Sequence, residues 1–474
     1  MNKYIPTIGI EVHVELKTNT KIFSSSKNGY GSMANSLVNE IDLGYPGTLP
    51  TLNEEVINLG IKAATILNCK VRKQMFFDRK NYFYPDNPKN YQITQQRTPI
   101  GYDGYVEIDD NGTKKKIYIE ELHIEEDTCK STHRSDKTLL DFNRAGVPLI
   151  EIVTKPCMTT STEAKLYLEK LRELLFYADV SDCKMEEGSM RADANVSIRK
   201  NESDPFGTKV EIKNIGSISN VKLAIEKEIS RQEKMLDNNE KFKEQTRRFD
   251  DKLNDTVLMR VKETGNDYRY FPEPDIPFVI VTDEMIDNVK KTIPMLPDER
   301  KEKYLSLGVS ELNANKLILN RSLSDYFNEL LDESIDHNTG ANLLLGDISA
   351  YLNKEEKDIT DTTLTKERFI DLVNNVSNKT LTSKNLKEIL EKILTESTSI
   401  KEIISSSDIK NITDTSELSS IIDKIIESNE ESVNDYKNGH DRAIKYLMGQ
   451  VMKETHGGAN PELAMSILKD KLDK

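Results

Sequence analysis

The sequence predicts an α+β chain, in which a mainly antiparallel sheet domain precedes an all-α helical domain and a small all-α tail domain. Two observations carry this. Four stretches alternate charged and apolar residues with period two, the mark of strands with one packed and one wet face. Of the 15 prolines, all but Pro461 lie at or before Pro297. Proline interrupts helices and central strands, so its loss marks a passage from strand-and-loop structure to helices.

The alternating stretches are Ile10–Leu16, Glu121–Glu125, Arg191–Arg199 and Lys209–Lys213. Helices lie between them. Asn53 is placed to cap one running through Leu67, with Val56, Leu59, Ala63 and Leu67 on one face. Thr160-x-x-Glu163 reads as a capping box, followed by Ala164, Leu168, Leu171 and Leu175 at helical spacing. Asp109-Asp110-Asn111-Gly112 reads as a hairpin turn. After Pro294 the pattern turns helical, and Leu386, Ile389, Leu390, Ile393 and Leu394 form an apolar stripe. The run from Ser405 to Thr415 is rich in Ser, Asp and Asn and marks a second boundary. The expected domains are therefore 1–293, 294–407 and 408–474.

A chain of 474 residues is long for one core, and two to four domains are the prior. A formal charge of −14 argues against coating nucleic acid by bulk attraction, though a local basic patch can still grip it. No apolar run is long enough to cross a bilayer, and Met1-Asn2-Lys3-Tyr4 opens no signal peptide, so no membrane partner is expected. Cys69, Cys129, Cys157 and Cys183 show no metal spacing; free thiols of a cytoplasmic protein are the simplest account.

The wet faces of the four strands carry Glu, His, Asp and Arg. Converging, Glu11, His13, Glu125, Asp193 and Glu211 would hold one or two magnesium ions, since hard cations take carboxylate oxygens. His13 suits either a ligand or an outer-shell orienter. Solvated faces laced with ion pairs would look alike. The segment Phe77–Lys89, with two prolines and four aromatics, is expected as a rigid loop. Its Arg79, Lys80 and Lys89 beside Asn81 and Tyr84 suit phosphate or substrate, or simply a packed turn. Gly188-Ser189-Met190-Arg191 fits an anion-contacting turn or a serine-capped one. Asp267–Asp275 sets Arg269 among aromatics, as a pocket lining or as core. In the tail, Lys437–Ala443 is expected to open a helix carrying Lys445 and Lys453; acidic neighbours nearly balance these charges, which taken alone favours a solvated helix. There is no GxxxxGK[ST], no GxSxG and no HExxH, which excludes a P-loop NTPase and several hydrolase classes. No glutaminase machinery is visible.

Gly9–Leu16, Asp78–Asp86, His123–Asp127, Met185–Asp193, Tyr268–Asp275, Gly449–Lys453 and Ala459-Asn460-Pro461 together resemble the B-subunit family of aspartyl/glutamyl-tRNA amidotransferases, over essentially the full length. The resemblance implies a cradle-shaped catalytic domain, a helical domain and a tail domain that binds tRNA through Lys437, Arg442, Lys445 and Lys453. It implies a cytoplasmic heterotrimer with an amidase, the A-subunit, which releases ammonia, and a small C-subunit. It also implies ATP and Mg2+ as cofactors. The activity would be phosphorylation of the side-chain carboxylate of Glu on tRNA(Gln) or Asp on tRNA(Asn), followed by amidation. Lys80, Arg191 and Lys213 are then the candidates for phosphate stabilisation, with Arg79, Asn81, Tyr84, Ser189 and Arg269 as substrate contacts. A non-catalytic tRNA-binding role in the same complex is the alternative. Some family members carry a four-cysteine zinc knob after the first strand. Here Phe23–Ser26 and Asn39–Pro50 contain no cysteine, so no zinc is expected.

Overall fold

The computed structural model describes residues 3–261, 268–407, 415–437, 440–455, 459 and 461–473. Its chain contacts fall into two compact units, 1–296 and 297–474. The division lies three residues beyond the boundary expected at 293/294. The second expected boundary, at 407/408, meets residues 408–414, which lie outside the described ones, as do Asp267, residues 438 and 439, and Asn460.

The first unit contains the strands β1 (Ile5–Glu15), β2 (Lys70–Val71), β3 (Gln74–Met75), β4 (Asp78–Asn81), β5 (Tyr91–Thr94), β6 (Gly101–Asp110), β7 (Thr113–Glu126) and β8 (Lys130–His133). They are followed by β9 (Thr138–Asp141), β10 (Pro148–Thr154), β11 (Met190–Arg199), β12 (Val210–Lys213), β13 (Gln245–Asp250), β14 (Asp255–Val261), β15 (Phe271–Pro272) and β16 (Val279–Ile280). Nine build one sheet in the order β14-β13-β12-β11-β1-β10-β7-β6-β2. Every pairing in it is antiparallel except β12 with β13. All four alternating stretches lie in it, and β1 sits at its centre.

Alternation gives the sheet two chemically distinct faces. Ile10, Val12, Val14, Leu122, Ile124, Ile150, Ile152, Ala194 and Val196 point to one side and are buried. That side packs on helices α1 (Glu54–Ile66), α2 (Ser161–Tyr177) and α3 (Ile218–Asp237), whose apolar residues join the same core. Each fully buried Leu or Ile contributes roughly 1.5–3 kcal/mol. Gly60 lets α1 approach closely, since a Cβ there would lie 2.9 Å from Ile100 Cδ1.

The local signals act as expected, with small shifts. The Asn53 side chain accepts from the Glu55 N–H at the start of α1. Thr160 caps α2 by accepting from Glu163 N–H at 3.1 Å. Glu163 closes back on the amide of Thr159, at 2.7 Å, one residue earlier than a capping box places it. Asn111 and Gly112, at φ +53° and +88°, make the two-residue turn between β6 and β7.

One local expectation fails. Phe77–Lys89 is not all loop: Asp78–Asn81 forms β4, paired with β5 and β15 in a three-stranded sheet. One partner, β15, comes from distant sequence, and Asp78, buried beside Arg97, ties the strand down. Tertiary pairing overrides the polar composition.

In the second unit every described element is helical, and Ser383–Thr395 carries the predicted stripe, buried throughout. Residues 418–472 have an apolar core of their own, including Leu418, Ile422, Leu447, Val451 and Leu468. Lys437 ends the helix Glu430–Lys437 rather than opening the next, which begins at Asp441. A cation in a last helical turn faces the negative end of the helix dipole, which is why it sits there.

Candidate active site

The polar face of the central sheet gathers residues that the sequence scatters over two hundred positions. Antiparallel register sets Arg191, His13, Glu151 and His123 in one row across β11, β1, β10 and β7. The neighbouring row pairs Asp193 with Glu11. The predicted ligands separate into two groups, the first completed by a residue outside the predicted set: His13 and Glu125 with Glu151, and Glu11, Asp193 and Glu211. Within each, one ligand atom per residue lies within 4.8 Å of the others.

In the first group His13 Nε2 lies 3.4 Å from Glu125 Oε1 and 3.6 Å from Glu151 Oε2. His123 Nε2 is 2.7 Å from the same Glu151 oxygen. Burial opposes the charge on both histidines, but the facing carboxylates win. The pKa of His13 is raised by Glu151 and Glu125, and that of His123 rises to about 9, chiefly through Glu151. Burial likewise opposes the charge on the acids, yet Glu125 is held below its usual range by His13, and Glu151 by His123 and His13.

The second group already contains a cation. Lys213 Nζ donates to Asp193 Oδ2 at 2.6 Å and lies 3.0 Å from Glu211 Oε1. Thr246 donates to Glu211 at 3.0 Å, and Asn195 to Glu11 Oε1 at 2.8 Å. Burial and the repulsion of Glu151 push the Glu11 carboxyl up. Two carboxylates with an imidazole fit a divalent ion once His13 gives up its proton, since only a neutral imidazole nitrogen is a ligand. The second group fits one only where Lys213 yields its place.

Glu125 and Glu151 of the first group open into a cleft of about 250 Å³, lined also by Glu11, Glu121, His123, Val153, Thr94 of β5, Gln96 just after it, Lys80 of β4, and Tyr270 before β15. Lys80 Nζ stands 5.1 Å from the centre of the Tyr268 ring. Its ammonium loses hydration by burial, but Glu125 and Glu151 more than restore its charge.

The remaining predicted contacts are spread around this cleft and do not line it. Arg79 clamps Glu273 with two hydrogen bonds of 2.6 and 2.9 Å, bonds Asp275 at 2.9 Å, and stacks on Tyr91. Asn81 donates to the carbonyls of Tyr268 and Arg269. Together they fasten the segment that bears Tyr268 and Tyr270. Arg269 has φ +48° and lies over Phe83. Tyr84 is exposed. The Ser189 hydroxyl accepts from Lys184 N–H at 2.8 Å and closes a turn in which Gly188 has φ +84°. Arg191 donates to Asp127 at 2.8 Å, and its Nε has no partner among the described residues.

Glu151 and His123 were not among the predicted site residues. Glu151 is a lone acid between Ile150 and Ile152, in a strand that reads as core. Only its odd-numbered place in that alternation signalled the wet face.

The sequence is similar to known proteins over nearly its whole length. Residues 6–287 match the family described as the GatB/GatE catalytic domain, and residues 325–472 match the GatB domain. The chain belongs to the GatB family. It is 47% identical to a Bacillus cereus (strain AH187) protein named as the B-subunit of aspartyl/glutamyl-tRNA(Asn/Gln) amidotransferase, over 98% of each chain. Its identity to the proteins of that name from Lactiplantibacillus plantarum and Bacillus mycoides is 46%, over 99% and 98% of each chain respectively. Both acidic groups and Lys80 fall within the GatB/GatE catalytic region, and Lys437, Arg442, Lys445 and Lys453 within the GatB domain. Among the described residues, no helix is long and apolar enough to cross a membrane.

Proposed function

We propose that this chain, as the B-subunit of a tRNA-dependent amidotransferase, activates the side-chain carboxylate of Glu on tRNA(Gln), of Asp on tRNA(Asn), or of both, and converts it to the amide. The observation that carries this reading is the cleft itself, where a His-and-carboxylate group faces Lys80 across the space needed for phosphates. A carboxylate resists ammonia because attack would have to expel an oxide. Its oxygen therefore takes the γ-phosphoryl of ATP, and ADP leaves. Ammonia nitrogen then attacks the acyl carbon, the carbon–oxygen bond to phosphate breaks, and the nitrogen loses a proton. This is a ligase that forms a carbon–nitrogen bond.

His13, Glu125 and Glu151 would hold a magnesium ion, with Glu11, Asp193 and Glu211 as a second position. When bound, magnesium neutralises charge on the transferring phosphoryl. Lys80 contributes fixed positive charge to the phosphate oxygens from the opposite wall. Arg191 acts beside it by balancing Asp127, and Lys213 balances Asp193 and Glu211 until an ion takes that second position. Arg79, Asn81 and Arg269 hold the Tyr268–Tyr270 segment over the substrate, and Ser189 shapes the turn entering β11; Tyr84 offers an aromatic surface at the rim.

The ammonia comes from a partner amidase, the A-subunit, braced by a small C-subunit, in the cytoplasm. Residues 294–407 form the helical domain and 408–474 the tRNA-binding domain. Arg442, Lys445, Tyr446 and Lys453 recur at helical spacing on the exposed side of Asp441–Glu454, opposite Leu447 and Val451. That stripe suits an RNA backbone, and Lys437, at the end of the preceding helix, is a further candidate contact.

The test is amidation of glutamyl-tRNA(Gln) by the reconstituted complex, with ammonium chloride in place of glutamine. ATP-dependent product lost in Glu125→Gln and Lys80→Met supports the reading. Full activity in both variants sends the chemistry to a different component of the complex and leaves this chain as the tRNA holder.

A further inference from the structure

His123 takes no part in the reading above, yet it is a buried polar residue of the cleft. It projects from the C-terminal part of β7, its side chain 8% exposed. Its cross-strand neighbour is Glu151, which in turn neighbours His13. Glu151 Oε2 thus stands between two imidazoles, 2.7 Å from His123 and 3.6 Å from His13. The second ring nitrogen of His123, Nδ1, is buried and has no hydrogen-bond partner among the described residues. The contact to Glu151 is therefore what orients the ring.

We infer that His123 is a positioning residue that holds the Glu151 carboxylate in place for a divalent cation shared with His13 and Glu125. This rests on the metal-holding reading of that group. A glutamate on a strand can turn about three side-chain torsions. Pinning one oxygen from the neighbouring strand removes that freedom before the ion arrives. Outer-shell partners of this kind typically set metal affinity by 10–100-fold.

The test uses the complete assembly and manganese alone as the probe, with free Mn2+ followed by electron paramagnetic resonance. Glu125→Gln defines which bound equivalent belongs to this group. His123→Ala is expected to weaken that equivalent about 10–100-fold. His123→Gln, whose amide nitrogen can stand where Nε2 stood, is expected to bind like the parent. Magnesium titration of the ammonium-driven reaction should show the same split, with the half-saturating magnesium raised and the rate at saturation kept. Where Ala costs the fold, His123→Asn serves, because its amide is too short to reach Glu151. Parent-like affinity in the Ala or Asn variant overturns the inference. So does a Gln variant as weak as Ala, since packing alone would then account for the loss. If Glu125→Gln also leaves every manganese equivalent intact, the metal-holding reading itself falls, a result distinct from failure of His123 alone.

Discussion

Glu151 and His13 are direct register partners across β10 and β1, with His13 Nε2 3.6 Å from Glu151 Oε2. That pairing makes a site out of two strands that each look ordinary. Glu151→Gln keeps the volume and removes the charge. Ammonium-driven amidation should fall by roughly two orders of magnitude, the scale of losing one preorganised electrostatic contact. The amide product on glutamyl-tRNA(Gln) measures it, and an unchanged rate would remove Glu151 from the site.

Glu228 is the buried acid that locks α3 to the sheet. It receives two hydrogen bonds from Arg231, at 2.6 and 2.9 Å, and one from Gln232 at 2.8 Å, with Arg247 of β13 3.5 Å away. Breaking such a pair by removing one partner leaves buried guanidinium groups uncompensated. Glu228→Ala should cost about 3–5 kcal/mol. Denaturant unfolding followed by circular dichroism reads this as an earlier midpoint; an unshifted midpoint would show that water replaces the carboxylate.

Burial pushes the thiols of Cys69 and Cys183 up to about 12. The thiolate is the nucleophile, so both should resist iodoacetamide at pH 8.5 in the native chain and react once it is unfolded. The sign for stability follows. The unfolded thiol ionises near its ordinary value of 9.0, before the folded one. Stability is therefore lost as pH rises from that value towards 12. Mass spectrometry of the alkylated native chain checks the first claim, and modification of Cys183 without unfolding would contradict it.

Replacing Arg442, Lys445 and Lys453 by alanine together should weaken tRNA binding and flatten its salt dependence. Each lost phosphate contact reduces the slope of log affinity against log salt by about one. Filter binding across a salt series gives the slope. A parallel line displaced downwards would mean that the stripe supports the tail without touching the RNA backbone.

Much of this molecule could be read directly from the residues. Period two in β1, β7, β11 and β12 settled which side chains face the wet side, and the end of proline use marked the passage to helices. Asn53 and Thr160 stand at the helix starts their chemistry required. These are local properties, decided by neighbours along the chain. What the sequence left open is register and distant pairing. Strand alternation says that Glu11, His13, Glu125, Asp193 and Glu211 share a face, but not that they divide into two groups. It does not say that Lys213 lies on Asp193 and Glu211, or that Glu151 completes the first group. Nor does the polar run Asp78–Asn81 announce a strand, because β5 and β15, which make it one, come from elsewhere. A slip of two residues between β1 and β10 would preserve every buried apolar side chain and dissolve the pairing of His13 with Glu151. That choice belongs to the packed sheet, where hydrogen-bonded register is a property of two strands at once and of neither alone.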